Sequence, residues 1–147
     1  MVHNIRSAHN VGSMLRSADS LGAAKVWIVG YSPAPDLPKV QKTALGAEDF
    51  VPWEYAAEIG AVVGRLRADG FRIAGLELDD RAVDLAAYRA PERIAVVLGN
   101  EVEGIPPSVR ALCDDLVMIP QRGKKESLNV AVAAAVAMYA LASRRPA

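Results

Sequence analysis

From residue 130 to residue 142 the chain reads Val-Ala-Val-Ala-Ala-Ala-Val-Ala-Met-Tyr-Ala-Leu-Ala, without one charged side chain. A helix that is apolar on every face is buried on every face, in a core, at a subunit contact or in a membrane. A membrane span needs about 20 apolar residues with aromatic anchors at both ends. This run is shorter and lacks those anchors, which excludes the membrane. A small domain cannot easily surround one of its own helices, so part of this one is expected to meet a second copy in a homodimer. The approach to the helix is equally constrained. A short apolar strand over 116–119 passes into Pro120-Gln121-Arg122-Gly123-Lys124-Lys125-Glu126, and the helix is entered at Ser127-Leu128-Asn129. Ser127 is the expected N-cap, its hydroxyl accepting an orphan N–H of the first turn. A helix start beside a glycine-containing basic loop offers backbone groups to a ligand.

Ahead of that segment, strands and helices alternate. A strand-like start over 1–5 precedes His9-Asn10-Val11-Gly12, read as a loop, and an amphipathic helix carrying Met14, Leu15, Ala18 and Leu21 that stops near Gly22. A buried strand over 25–30, a proline-rich loop over 32–38 and a helix over 40–45 follow. Next come a strand at Phe50-Val51, a helix over about 54–68 stopped by Gly70, and a strand over 71–78. Beyond an acidic loop at Asp79-Asp80 and a turn before Pro91 lies the clearest buried strand, 93–98, then a helix over 106–113 whose Pro106-Pro107 suits a first turn. The pattern predicts an α/β fold, a parallel sheet with helices on both faces. No internal repeat, low-complexity segment or linker interrupts it.

At 147 residues the chain is expected to be one domain. Cys113 stands alone, which excludes an internal disulfide, favours the reducing cytoplasm and makes the thiol inert packing. No apolar signal-peptide core opens the sequence. Net charge is zero but unevenly spread: +3 over residues 1–45, −7 over 46–119 and +4 over 120–147, where Arg144 and Arg145 contribute. The two basic ends are candidates for phosphate contact through Arg6, Lys39 and Lys42 from the first and Arg122, Lys124 and Lys125 from the last. Solvated surface charge is the equal alternative, and Lys39 and Lys42 share a helix face by spacing. His3 and His9 are expected to be exposed or hydrogen-bonded.

In folds of this class ligands sit beyond the carboxyl ends of strands. Three loops fall there: Asn10-Val11-Gly12 with Arg16; Gly99-Asn100-Glu101-Val102-Glu103-Gly104-Ile105-Pro106; and the turn into Ser127-Leu128-Asn129. None matches a dinucleotide fingerprint or a P-loop, and no cysteine and histidine cluster has zinc spacing, so no metal is expected. In order and spacing (N-x-G-x-x-x-R, then G-x-E-x-x-G-x-P after a buried strand, then I-P followed by S-L-N) the three resemble the SpoU (TrmH-like) branch of the SPOUT RNA methyltransferases across nearly the whole chain.

The resemblance implies a C-terminal deep trefoil knot, over about residues 94–142, within a parallel α/β fold. It also implies a homodimer, S-adenosylmethionine as methyl donor, S-adenosylhomocysteine as product, and an RNA ribose 2′-hydroxyl of tRNA or rRNA as acceptor. The family's cofactor positions fall on Gly99, Ile119 and Leu128, with Leu98 and Gly104 in the same loops, where main-chain groups hold the adenosine and methionine parts. Its catalytic arginine falls on Arg16, with Asn10 beside it to hold that arginine or the ribose. Glu101, Ser127 and Asn129 match the remaining polar positions. The first strand is short at Met1, and the additional RNA-binding segment of many relatives is missing from these residues. Two alternatives stand beside this reading: a knotted domain that binds RNA without catalysis, and methylation of a base nitrogen.

Overall fold

The computed structural model describes residues 1–143; Arg144 and Arg145, counted above in the basic C-terminal end, lie outside the described residues. Its elements are β1 (Val2–His3), α1 (Ala8–Ser20), β2 (Val26–Val29), α2 (Pro38–Ala44), α3 (Ala47–Phe50), β3 (Trp53–Ala56), α4 (Ile59–Ala68), β4 (Arg72–Leu76), β5 (Val83–Asp84), β6 (Ile94–Leu98), α5 (Pro107–Arg110), β7 (Asp115–Met118) and α6 (Val130–Ala142). The strands form one seven-stranded sheet in the order β3-β2-β1-β6-β4-β7-β5, and every pairing is parallel.

Alternation along the strands divides the core between the two faces. On β6, Leu98 packs with Val2, Val11, Met14 and Leu15 beneath α1, α2 and α6, while Val97 packs with Ile73, Val62, Val63 and Val109 beneath α4 and α5. Val11, Leu15, Ile73 and Val97 are fully buried, each stabilising the fold by roughly 1.5–3 kcal/mol relative to exposure.

Several expected elements differ. The segment read as a loop at Asn10-Val11-Gly12 lies inside α1, which starts two residues before Asn10 and is capped by Ser7, whose side chain accepts the Asn10 N–H. Gly12 is there for packing: a Cβ on it would lie 2.0 Å from the Thr43 hydroxyl oxygen and 2.4 Å from the Val40 carbonyl oxygen, so its absence lets α2 cross α1 closely. Phe50-Val51 is the end of a helical turn, and the strand follows at Trp53–Ala56, so the helix expected from residue 54 begins only at Ile59. Two-residue β5 has no signal of its own. The cap of α6 is Asn129, whose side-chain oxygen accepts the Ala131 and Val132 N–H groups; Ser127 is an exposed residue ahead of the helix.

Helix α6 is also not buried on every face within one chain. Ala131, Ala134, Ala137 and Leu141 point inward, and their small side chains allow close approach to the sheet and to α1; Val132, Val136 and Tyr139 face outward. His3 departs from its expectation too. It is buried, and its Nδ1 has no partner among the described residues. Burial lowers its pKa, opposed by the charge of Glu58. The half-buried Cys113 thiol is pushed up to about 11 by burial and by Asp114.

Candidate active site

The carboxyl ends of β4, β6 and β7 open onto a cleft of about 240 Å³. Its walls come from residues 76–78 after β4, 98–104 after β6, and Ile119, Gln121, Ser127 and Leu128 after β7, closed by Val130 and Ala133 of α6. Of the expected cofactor positions, Leu98, Gly99, Gly104, Ile119 and Leu128 all line it. The 98–104 wall is a tight reversal. Asn100 and Gly104 exchange backbone N–H···O bonds of 3.1 and 2.9 Å, and a Cβ on Gly99 would lie 2.4 Å from the Gly104 carbonyl carbon. The close approach that Gly99 permits is thus first to its own loop. Gly104 has φ +68°, and a side chain there would strike the Glu77 carboxylate.

Three of the expected polar residues are joined in one chain of hydrogen bonds. The Glu101 carboxylate accepts the N–H groups of Arg6 (2.9 Å) and Ser7 (3.0 Å) and the Asn10 side-chain amide (3.0 Å). Asn10 Oδ1 in turn accepts the Asn129 amide at 3.2 Å. Asn129 then caps α6 through its own oxygen. Burial pushes the Glu101 pKa up, but the donors from Arg6, Ser7 and Asn10 outweigh it and hold the carboxylate below its usual range. Residues 10, 101 and 129, distant along the chain, thereby fix one another, and both hydrogen-bonding ends of the buried Asn10 amide are occupied.

Arg16 is not brought into this group. It sits on the exposed face of α1, six residues from Asn10 and so about 9 Å along the helix axis, with no hydrogen bond or ion pair among the described residues. Asn10 does not hold it. Ser127 lines the cleft but bonds none of the other polar residues. Arg122, Lys124 and Lys125 occupy the exposed loop between Ile119 and Ser127; Lys39 and Lys42 lie on the exposed face of α2; Arg6 is exposed in the turn whose N–H binds Glu101. Among the described residues these six side chains are unpaired, whereas Lys25, Arg65, Arg67, Arg72, Arg81 and Arg110 are all engaged by carboxylates.

Residues that sequence reasoning passes over complete the site. Glu77 accepts the Ile105 N–H at 2.7 Å and, with Glu101 and Glu103, makes the cleft acidic. Asn100 holds its loop by accepting the Val102 and Glu103 N–H groups. Asn100 lies inside the second motif; Glu77 carries only its place at a strand's carboxyl end. Among the described residues no group of three or more His, Cys, Asp or Glu side chains is arranged to hold a metal, and no helix is long and apolar enough to cross a membrane.

Residues 1–139 match the SpoU rRNA Methylase family. The chain is 30% identical over 142 residues to a 23S rRNA (guanosine-2′-O-)-methyltransferase RlmB of Acinetobacter baylyi, covering 96% of this chain and 57% of that protein. It is 31% identical over 145 residues to the RlmB of Vibrio vulnificus, covering 99% and 58%. The chain thus spans a little over half the length of these relatives. Among solved structures it superposes with a TM-score of 0.89, at 27% identity, on the SpoU methyltransferase AviRb of Streptomyces viridochromogenes in complex with AdoMet, over 98% of this chain and 56% of that one. An AdoMet-bound rRNA methyltransferase of Sinorhizobium meliloti shares the fold with a TM-score of 0.90 at 24% identity, over 99% and 56%.

Proposed function

Because the chain belongs to the SpoU rRNA Methylase family, we propose that it is an S-adenosylmethionine-dependent methyltransferase acting on a ribose 2′-hydroxyl of tRNA or rRNA in the cytoplasm, and that residues 1–147 form one catalytic domain. The observation that carries this reading is the bonded set of Glu101, Asn10 and Asn129 beside the cleft. A module that only held RNA has no use for three motifs locked together at the carboxyl ends of the strands.

The cleft suits the cofactor chemically. Leu98, Ile119 and Leu128 offer apolar walls to an adenine ring, the main-chain groups around Gly99 and Gly104 read its edge, and Glu77, Glu101 and Glu103 favour a cationic ligand. When bound, S-adenosylmethionine supplies an electrophilic methyl group on a sulfonium. The return of the chain from β7 to α6, which packs against α1 beyond β6, supports a threaded knot over residues 94–142.

The outward face of α6, with Val132, Val136 and Tyr139, supports a homodimer. In that dimer Arg16 of one subunit serves the cleft of the other, and its lack of any partner among the described residues suits such a role. Arg16 is a fixed cation that stabilises the negative charge forming on the 2′ oxygen and pins a phosphate, while the proton leaves to phosphate or water. A guanidinium keeps its proton in proteins and is a poor base. Glu101, Asn10 and Asn129 are positioning residues, and Ser127, at the cleft wall, is available to the substrate. Arg6, Lys39, Lys42, Arg122, Lys124 and Lys125 contact RNA phosphates.

The test has two arms. Calorimetry with S-adenosylhomocysteine is expected to show binding without RNA, and label from the methyl group of the cofactor is expected in total RNA, in linkages that resist nuclease at the 3′-phosphodiester. S-adenosylhomocysteine binding without transfer would leave the non-catalytic module; transfer into nuclease-sensitive linkages would mean a base nitrogen.

A further inference from the structure

Tyr31, directly after β2, is an exposed aromatic held at both ends. The residue is 60% exposed, yet its backbone N–H donates to Asn4 Oδ1 at 3.2 Å and its hydroxyl oxygen accepts the Asn100 amide at 3.0 Å. The ring therefore reaches from the end of β2 past β1 to the loop after β6, and Asn100 belongs to the cleft wall. An exposed tyrosine with no task is usually left free to rotate; this one is tethered.

The tether is built from costly local choices. Asn4 has φ +53°, in the left-handed region that few residues other than glycine, asparagine and aspartate tolerate. Gly30 has φ +68°, and a Cβ on it would lie 1.9 Å from Asn4 Oδ1, so only glycine leaves room for the acceptor of the Tyr31 N–H. Asn100 is buried, and its amide donates to both the Asn4 carbonyl and the Tyr31 hydroxyl. A second tyrosine, Tyr55, is 53% exposed and is tethered likewise, its hydroxyl donating to the Gly30 carbonyl at 3.0 Å. Two aromatic side chains, both pinned at the tip, thus stand at the same end of the sheet as the cleft.

We infer that Tyr31, supported by Tyr55, is a stacking platform for an unpaired RNA base next to the nucleotide being modified. The inference rests on the function proposed above and extends it: the substrate presents an unstacked stretch at the cleft. Recognition of RNA outside regular helices depends on splayed bases stacked on aromatic faces, and a fixed ring loses little freedom on binding. Exposed Arg6 leaves the turn beyond Asn4, on the same rim, where it can take the phosphate of the stacked nucleotide. Phosphate contacts give affinity at that rim, and the platform adds the requirement for an unpaired base.

The test uses fluorescence anisotropy of the full chain, saturated with S-adenosylhomocysteine, with a labelled mixed-sequence decamer oligoribonucleotide, the same decamer made abasic at successive positions, and a hairpin that pairs all its bases. The wild type is expected to bind the single strand at least about 5-fold more tightly than the hairpin and to lose affinity for one abasic position. Tyr31→Leu is expected to weaken the single strand by about 5-fold or more, the range a stacked base supplies, with an unchanged slope of log affinity against log salt. Tyr31→Trp is expected to restore binding. Equal affinity of wild type and Tyr31→Leu for the single strand, or a Tyr31→Trp variant that binds no better than Tyr31→Leu, overturns the platform. Those measurements are independent of methyl transfer. A protein that transfers label to RNA but shows no base dependence loses the platform and keeps the enzyme; one that stacks bases but never transfers label loses the enzymatic reading.

Discussion

Exchanging Asn10 for aspartate changes one NH2 group into an oxygen at almost constant volume, at a point where the structure makes the cost calculable. Asn10 is 7% exposed, and its amide donates to the Glu101 carboxylate at 3.0 Å. Asn10→Asp removes that charge-assisted bond, worth about 1.5–3 kcal/mol, and sets two carboxylate oxygens at the same separation. Their repulsion is about 1 kcal/mol in bulk water and about 5 kcal/mol at the effective dielectric of a protein surface. Glu101 is partly open to solvent, so the lower part of that range applies, and the total is about 3–4 kcal/mol at pH 8. The cost must also depend on pH in a known direction. A proton shared between the two carboxyls relieves the repulsion, so the pair's upper pKa in the folded variant is raised above its unfolded value. The variant therefore regains stability as pH falls through that raised pKa. Wild-type Glu101 is depressed instead; its contribution is present above the unfolded pKa and is lost only as pH drops below it. Urea unfolding followed by circular dichroism at pH 8 and pH 5 is expected to show the gap between the proteins narrowing by about 1 kcal/mol or more in acid. A gap that is constant, or wider at pH 5, refutes the facing of amide and carboxylate on which the calculation depends.

Three other outcomes follow from the same geometry. Tyr139→Asp is expected to leave the protomer folded, since the residue is 65% exposed, but to convert a dimer into a monomer in sedimentation velocity; a wild-type monomer at micromolar concentration removes the proposed use of α6. Changing Lys124 and Lys125 to glutamine is expected to flatten the plot of log RNA affinity against log salt by up to about one unit for each phosphate no longer neutralised, and an unchanged slope returns both to solvated surface. Arg16→Ala is expected to lower turnover about 10²-fold or more with S-adenosylhomocysteine binding intact, and Arg16→Lys to be poor at every pH; near-normal turnover of Arg16→Lys in alkaline buffer would mean that the side chain acts as a base.

What the sequence discloses depends on how local the cause is. The β6 run Ile94–Leu98 and the charge-free α6 are legible because burial on both faces, or on most of one, writes itself into consecutive residues. Asn10 and Gly12 mislead because both are weak helix formers; the interactions that keep them helical, with Glu101 and with α2, come from far along the chain. Trp53–Ala56 merges with the helix after it because four residues carry little periodicity. Ser127 and Asn129 are equally good caps by type, and Asn129 sits at the boundary where its amide also meets Asn10. The motif residues that line the cleft, among them Gly99, Glu101, Gly104 and Leu128, are legible as a set, and the roles proposed for them come from the resemblance. Glu77, Asn4 and Tyr31 are not, since a strand-end carboxylate, a left-handed asparagine and a tethered ring acquire meaning only when other strands arrive beside them.

The seven-stranded sheet has a narrow waist. Strand β1 spans two residues, and its register against β6 is the single pair Val2↔Leu98, whereas β4 and β6 are paired along five positions. The three-strand and four-strand portions on either side of the β1–β6 seam would part easily there if the ladder were all that joined them. The two apolar cores cross that seam, through Val2 and Leu98 on one face and Met1 and Val97 on the other, and a row of polar clasps just above it adds to them: Asn100 to the Asn4 carbonyl, Glu101 to the N–H groups of Arg6 and Ser7, and Asn129 to Asn10. Those clasps border the cleft proposed above to hold the cofactor. A ligand seated against them acts as a rivet between the two portions, so occupancy should register as slowed amide exchange in β1 and β6 and as a cooperative rise in melting temperature.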